Sequence, residues 1–111
     1  MNDRQLLEAA AKAAGIDVEF DKNNDTWTRP VRMDRCVNAR VYWNPLKDDG
    51  DAFRLAVKLG IEVGNYHQYG KGFALFGLVE FWDDATDPYA ATRRAIVLAA
   101  AAIGAQGGKE G

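Results

Sequence analysis

Two groups of aspartates are the first residues in this sequence that could do chemistry, because carboxylates bind divalent cations and act as general acids or bases. Asp48, Asp49 and Asp51 precede an amphipathic segment, and Asp83 and Asp84 follow an apolar one. The first group is also expected at a helix N-terminus, where capping and the helix dipole favour negative charge. We therefore predict caps and no metal site, and a metal-assisted enzyme built near these clusters is our third hypothesis.

The other residue types used in catalysis are scarce. His67 is the single histidine, Cys36 is the single cysteine, and serine is absent. No threonine has a histidine beside it in the sequence to activate it. The stretch Gly70-Lys71-Gly72 is too short for a phosphate-binding loop and does not precede a helix. We predict a protein that is not an enzyme and carries no cofactor.

Basic and aromatic residues are interleaved between positions 27 and 43, opposed only by Asp34. This pattern has three interpretations. Arginines on an edge strand prevent pairing with other chains. Arginine and aromatic residues also dominate protein interfaces, and they form platforms on which single-stranded nucleic acid stacks. The candidate binding surface consists of Trp27, Arg29, Arg32, Arg35, Arg40, Tyr42 and Trp43.

Three segments have helical periodicity. Residues 2–14 carry one apolar stripe and end at Gly15. A second helix starts near Asp48 and ends at Gly60, and the last runs from Pro88 to about Ile103, where Gly104 should stop it. We expect the buried stripe of the second helix to include Ala52, Phe53, Leu55, Ala56 and Leu59, and that of the last helix to start at Tyr89.

Extended segments lie between these helices. Residues 16–20 alternate apolar and acidic side chains, and 21–25 are turn residues without the pattern of a calcium loop. Residues 27–33 contain Pro30, which predicts an edge strand or an irregular crossing. Residues 35–43 are extended, and 61–66 with 73–81 should form an antiparallel hairpin. The expected fold class is α+β: about four antiparallel strands packed with three helices, in the order α-β-β-α-β-β-α.

The chain has 111 residues, 48% of them hydrophobic and 27% charged, with a net charge of -2. This predicts one globular domain, residues 1–105, followed by a disordered tail, 106–111. This slightly negative overall charge does not favour binding to nucleic acid or to an anionic membrane. The first residues have no secretory signal, and a lone cysteine fits a reducing compartment, so we expect a cytoplasmic protein.

Residues 43–46 and 48–61, together with 2–7 and 91–97, resemble small phage and prophage proteins of the NinX-like group and the phage alpha-beta-alpha sandwich domain. The resemblance covers most of the chain except residues 21–38. It implies a sandwich fold and an origin in a phage or prophage, with the host cytoplasm as location. It supplies no catalytic residues.

We therefore expect a small accessory protein that binds a host or phage protein, with interference in a host defence system as one instance. The alternative is a nucleic-acid-binding protein that uses residues 27–43. We also keep a homodimer as an alternative, because a strand spanning Phe73 to Phe81 would have two apolar faces, and a second copy of the chain could cover one of them.

Overall fold

The computed structural model describes residues 2–31, 39–66, 71–76, 79–84 and 87–107. Within these residues the chain forms three helices and two three-stranded antiparallel sheets, so the predicted α+β class is confirmed. The strand number is six where we expected about four. The elements are α1 (Asp3–Ala14), β1 (Glu19–Asp21), β2 (Thr26–Pro30), β3 (Arg40–Trp43), α2 (Asp49–Leu59), β4 (Glu62–Tyr66), β5 (Lys71–Phe76), β6 (Val79–Asp84) and α3 (Pro88–Gly107).

The ends of α1 and α2 follow from local sequence. The Asn2 side chain accepts a hydrogen bond from the backbone of Gln5, whose own side chain accepts one from the backbone of Asn2, and the two bonds form a capping box. Asp48 caps α2. Gly15 and Gly60 end these helices with φ values of 69° and 67°. Glycine adopts this left-handed conformation without steric penalty, so both predicted stops are confirmed.

The first sheet has the order β1-β2-β3. Trp27 pairs with Trp43 across β2 and β3, and both rings lie on the face that joins the core. The expectation of an edge strand or an irregular crossing for residues 27–33 is wrong for residues 27–30, since β2 is a regular strand at the centre of the sheet. Pro30 is tolerated because it is the last residue of β2, and pairing resumes beyond it through the Val31 N–H bonded to the Ala39 carbonyl at 2.9 Å.

The second sheet has the order β4-β5-β6. The predicted hairpin is confirmed, with Glu62 opposite Leu75 and Tyr66 opposite Lys71. The expectation of one strand over residues 73–81 is wrong. Phe76 instead pairs with Val79, so the chain reverses between β5 and β6. The sequence pattern does not indicate this reversal, because the residues on both sides of it are apolar.

Helix α3 is the element on which the rest of the fold packs. It contacts α1 and α2 as well as β4, β5 and β6. Its buried residues are not confined to one stripe, as expected for a helix covered on several sides. They are Ala91, Ala95, Ile96, Val97, Ala99, Ala100, Ala101 and Gly104. In the described part of the chain, no helix combines the length and apolarity needed to cross a membrane.

The predicted end of the last helix at Gly104 is wrong, because α3 continues to Gly107. Gly104 instead lies where α3 crosses α1. A Cβ added there would clash with the carbonyl oxygen of Ala9 and would lie 3.2 Å from the carbonyl carbon of that residue. The residue is glycine because the two helices approach closely, and its freedom to take positive φ is not used.

Candidate binding surfaces

The indole rings of the predicted arginine and aromatic surface lie in the core. Trp27 is 7% exposed and Trp43 is 2% exposed. The Trp27 ring packs edge-to-face on Phe20 at 5.2 Å between centroids, and its Nε1 donates to the carbonyl of Arg4 in α1 at 3.2 Å. Rings in these positions cannot stack on bases. Their placement at the surface is therefore wrong, because both residues face inward from paired positions of an antiparallel sheet.

Arg40 lies on the opposite face of the same sheet and is held by its neighbours. Its Nε donates to the Thr28 hydroxyl at 2.9 Å, and its Nη2 donates to the Thr28 carbonyl at 3.0 Å. The Glu19 carboxylate lies 3.6 Å away, and the Arg40 side chain is 25% exposed. These contacts connect β3 to β2 and β1, so the guanidinium stabilises the sheet.

The other residues of that predicted surface are dispersed. Arg29 pairs with Val41 in the register, on the face opposite Arg40. Tyr42 is 60% exposed. Arg32 and Arg35 lie outside the described residues.

The histidine and the cysteine also lie outside the described residues. Asp83 and Asp84 are the last residues of β6. In the part of the chain that the structure describes, no group of three or more His, Cys, Asp or Glu residues could hold a metal ion.

The aspartates around the start of α2 each have a protein partner. Asp48 accepts the backbone N–H of Asp51 at 2.7 Å. The Asp51 carboxylate, 6% exposed, accepts the Asn44 N–H at 2.9 Å and the Arg54 guanidinium at 2.8 Å. Of the two predicted capping residues, Asp48 or Asp49, the cap is Asp48, and the arrangement joins the turn after β3 to α2. Its carboxylates stabilise the fold instead of converging on a shared ligand position.

A groove of 690 Å³ runs between α2, the N-terminal half of α3 and the start of β4. Its buried residues are Ala52 and Ala56 of α2, Ile61, and Ile96 of α3. The two alanines leave space between the helices that larger side chains would fill. Volumes of this size are typical of sites that bind ligands or side chains of a partner.

Large apolar side chains stand exposed around this groove. Phe53 is 69% exposed, Val57 65%, Tyr89 68% and Val63 43%. The expectation that Phe53 and Tyr89 belong to the core is wrong. Phe53 and Val57 are four residues apart and form a second apolar stripe on α2, on the side away from the buried Leu55. The sequence could have indicated this second stripe, because α2 contains more apolar residues than one face of a helix can hold.

An ion pair lies at one end of the groove. The Arg93 Nη1 lies 2.7 Å from Asp49 Oδ1, and the Arg93 Nε donates to the Leu46 carbonyl at 2.9 Å. The Arg93 side chain is only 16% exposed, whereas the Asp49 side chain is 69% exposed. The guanidinium therefore holds α3 to the turn before α2, and the carboxylate faces solvent.

The chain matches no protein-family model, and no curated protein or solved structure is similar to it at a significant level. The groove and its exposed rim are therefore the features on which a functional argument must rest.

Proposed function

We propose that this protein binds another protein through the groove between α2 and α3, and that it has no enzymatic activity of its own. The observation that carries the proposal is the exposure of Phe53, Val57 and Tyr89 around one apolar groove. Single exposed apolar residues are normal, but a group of large ones around a concave surface marks an interaction site. Aromatic residues in such positions are enriched among the residues that dominate binding energy.

The magnitude of apolar burial supports a protein partner. Each large side chain that is removed from water contributes about 1.5–3 kcal/mol. Three such side chains offset a substantial part of the roughly 4–15 kcal/mol that association costs in lost freedom. The remaining contacts must come from the partner's insertion between the helices.

The resemblance of residues 43–61 to small phage proteins supports a host or phage protein as the partner, in the cytoplasm of a bacterial host. Interference with a host defence system is one instance of such binding. The nucleic-acid alternative loses support because two of its three stacking rings, Trp27 and Trp43, are buried. A homodimer would be a second way to cover the same groove.

A quantitative pull-down from bacterial host lysate tests the proposal. The variant Phe53→Ser/Val57→Ser changes exposed residues only, so it should fold and lose the partner. The matched control is Val41→Ser/Tyr42→Ser, which removes two exposed apolar side chains of β3 that do not line the groove. Recovery of the same protein by all three baits, or of none by the wild type, would contradict the proposal. Circular dichroism and thermal unfolding verify that each variant is folded.

A further inference from the structure

The outward charge at the Asp49 end of the groove is negative. Arg93 is largely buried, and its donors already bond to Asp49 Oδ1 and the Leu46 carbonyl. The Asp49 side chain is 69% exposed, so its carboxylate faces solvent beside this ion pair. The Asp48 side chain, one residue earlier, is 59% exposed. A ligand that enters the groove at this end therefore meets the exposed Asp49 carboxylate, while the Arg93 guanidinium beneath it is largely buried and bonds to Asp49 and to the Leu46 carbonyl.

The other charged groups nearby do not reverse this sign within the groove. Arg54 bonds to Asp51 at 2.8 Å and lies 4.0 Å from Asp48. Neither Arg54 nor Lys58 lines the groove. Asp87 is exposed two residues before Tyr89, at the start of α3. Of the two charged side chains that line the groove, Asp49 is 69% exposed and Arg93 is 16% exposed, so the charge offered to a ligand is the carboxylate.

Two aromatic residues line the same groove as this carboxylate. Phe53 is four residues after Asp49 and so lies on the same stripe of α2, and Tyr89 lines the groove from α3. The faces of aromatic rings carry partial negative charge and attract ammonium and guanidinium groups. A groove that presents one exposed carboxylate and two exposed rings suits the alkyl stem and charged end of a lysine or arginine. The alanine floor beyond them suits bulky apolar side chains.

We propose that the groove binds a peptide segment in which bulky apolar side chains adjoin a lysine or arginine, with the cation placed against Asp49. The inference rests on the proposed function and names the chemistry of the partner. The apolar side chains occupy the space over Ala52 and Ala56, in the manner of an amphipathic segment laid into a helical groove. The cation sets the direction in which the segment lies.

Selection from a displayed library of random peptides tests this on the intact protein. The wild type is the bait, and Phe53→Ser/Val57→Ser is used for counter-selection. Peptides enriched on the wild type should contain bulky apolar residues with an adjacent lysine or arginine and few acidic residues. Enrichment without a preference for basic residues would overturn the inference and leave the proposed function standing. No enrichment over the counter-selected variant would count against both.

Charge variants then locate the cation. For a selected peptide, Asp49→Asn should weaken binding about two- to fivefold, as expected for an exposed cation site. Replacing the peptide's lysine or arginine by glutamine should have no further effect in that variant. The matched control Asp48→Asn removes the same charge outside the groove and keeps a good capping residue, so it should retain the preference. Equal effects of the two variants would overturn the placement at Asp49.

Light scattering over a range of protein concentrations measures the mass in solution and so tests whether a second copy of the chain occupies the groove. The inference expects a monomer in the absence of peptide. A dimer that dissociates in the Phe53→Ser/Val57→Ser variant would show that another copy fills the groove, and it would overturn the inference.

Discussion

Asp51 is the residue that joins the turn after β3 to helix α2. Its carboxylate is buried and accepts hydrogen bonds from the Asn44 N–H and the Arg54 guanidinium. Asp49, two residues earlier, makes its ion pair at the surface. The two carboxylates belong to one short acidic run, yet burial gives them different energetic weights, because an unsatisfied buried group costs more than an exposed one.

We expect Asp51→Ala to lower the free energy of unfolding by about 2–3 kcal/mol, since the partly buried Asn44 N–H and the Arg54 guanidinium both lose their acceptor. Asp49→Ala should lower it by less, about 1 kcal/mol, because Asp49 is 69% exposed and the Arg93 guanidinium keeps its bond to the Leu46 carbonyl. Urea denaturation of the two variants measures the difference. Equal losses would contradict the structural role assigned to Asp51.

Asp21 makes stability depend on pH. The Asn24 side chain donates to its carboxylate at 2.7 Å, and the Asn23 N–H donates at 3.0 Å; these bonds hold the pKa of Asp21 below its usual value. A lowered pKa in the folded state means that the stabilisation is present above the ordinary carboxyl pKa and is lost as the pH falls through the folded value.

Asp21→Ala should therefore be less stable than the wild type at neutral pH, and the gap should narrow as the pH falls below about 4. Denaturation curves at several pH values measure the gap, and a carbon NMR titration of the Asp21 carboxyl measures the pKa itself. A gap that does not change with pH would contradict the assignment.

At the scale of elements, α2 divides its apolar residues between two faces. Leu55 is 1% exposed and packs in the core, whereas Phe53 and Val57 stand at the groove. Helix α1 and helix α3 meet at Gly104, where the absence of a side chain permits the carbonyl of Ala9 to approach. In both cases the residue types along a helix depend on which elements pack against each of its faces.

The close crossing of α1 and α3 makes Gly104→Ala destabilising. We expect a loss of about 1–3 kcal/mol, because the added methyl group meets backbone atoms that must move. Gly50→Ala is the matched control. A Cβ there lies 3.2 Å from the ends of the Arg54 and Asp48 side chains, which need to give by only a few tenths of an ångström, so the change should stay within about 1 kcal/mol. Thermal unfolding compares the two, and a larger loss at Gly50 would contradict the argument.

For the molecule as a whole, α3 connects parts that do not pair with each other through strands. The second sheet packs on α3, and α1 packs on it as well. The first sheet joins the core through Trp27 and Trp43, which belong to the same buried cluster as Leu6, Ala95 and Val97. Loss of α3 packing should therefore unfold the whole chain.

Native-state hydrogen exchange tests this. We expect the amides of residues 95–101 to exchange only through global unfolding, because every side chain of this part of α3 is buried except that of Leu98, which is partly buried. The amides of the turn at 22–25 should exchange earliest. Exchange of the α3 amides well before those of α1 would contradict the central role of α3.

Local patterns were sufficient to predict what depends on nearest neighbours along the chain. The helix starts at Asp48 and Pro88, the left-handed stops at Gly15 and Gly60, and the hairpin of β4 and β5 all follow from turn and capping chemistry within a few residues. The α+β class follows from the alternation of helical and extended periodicity. Predicting these features requires no information about tertiary contacts between the elements.

The tertiary structure decided which apolar surfaces are covered. Phe53 and Tyr89 look like core residues in sequence, and Trp27 and Trp43 look like surface residues among arginines, yet their exposures are the reverse. Gly104 looks like a stop and is a contact between helices. Burial depends on elements that are distant in the chain, and local periodicity carries no information about them. The candidate groove exists only because α2, α3 and β4 come together in the folded protein.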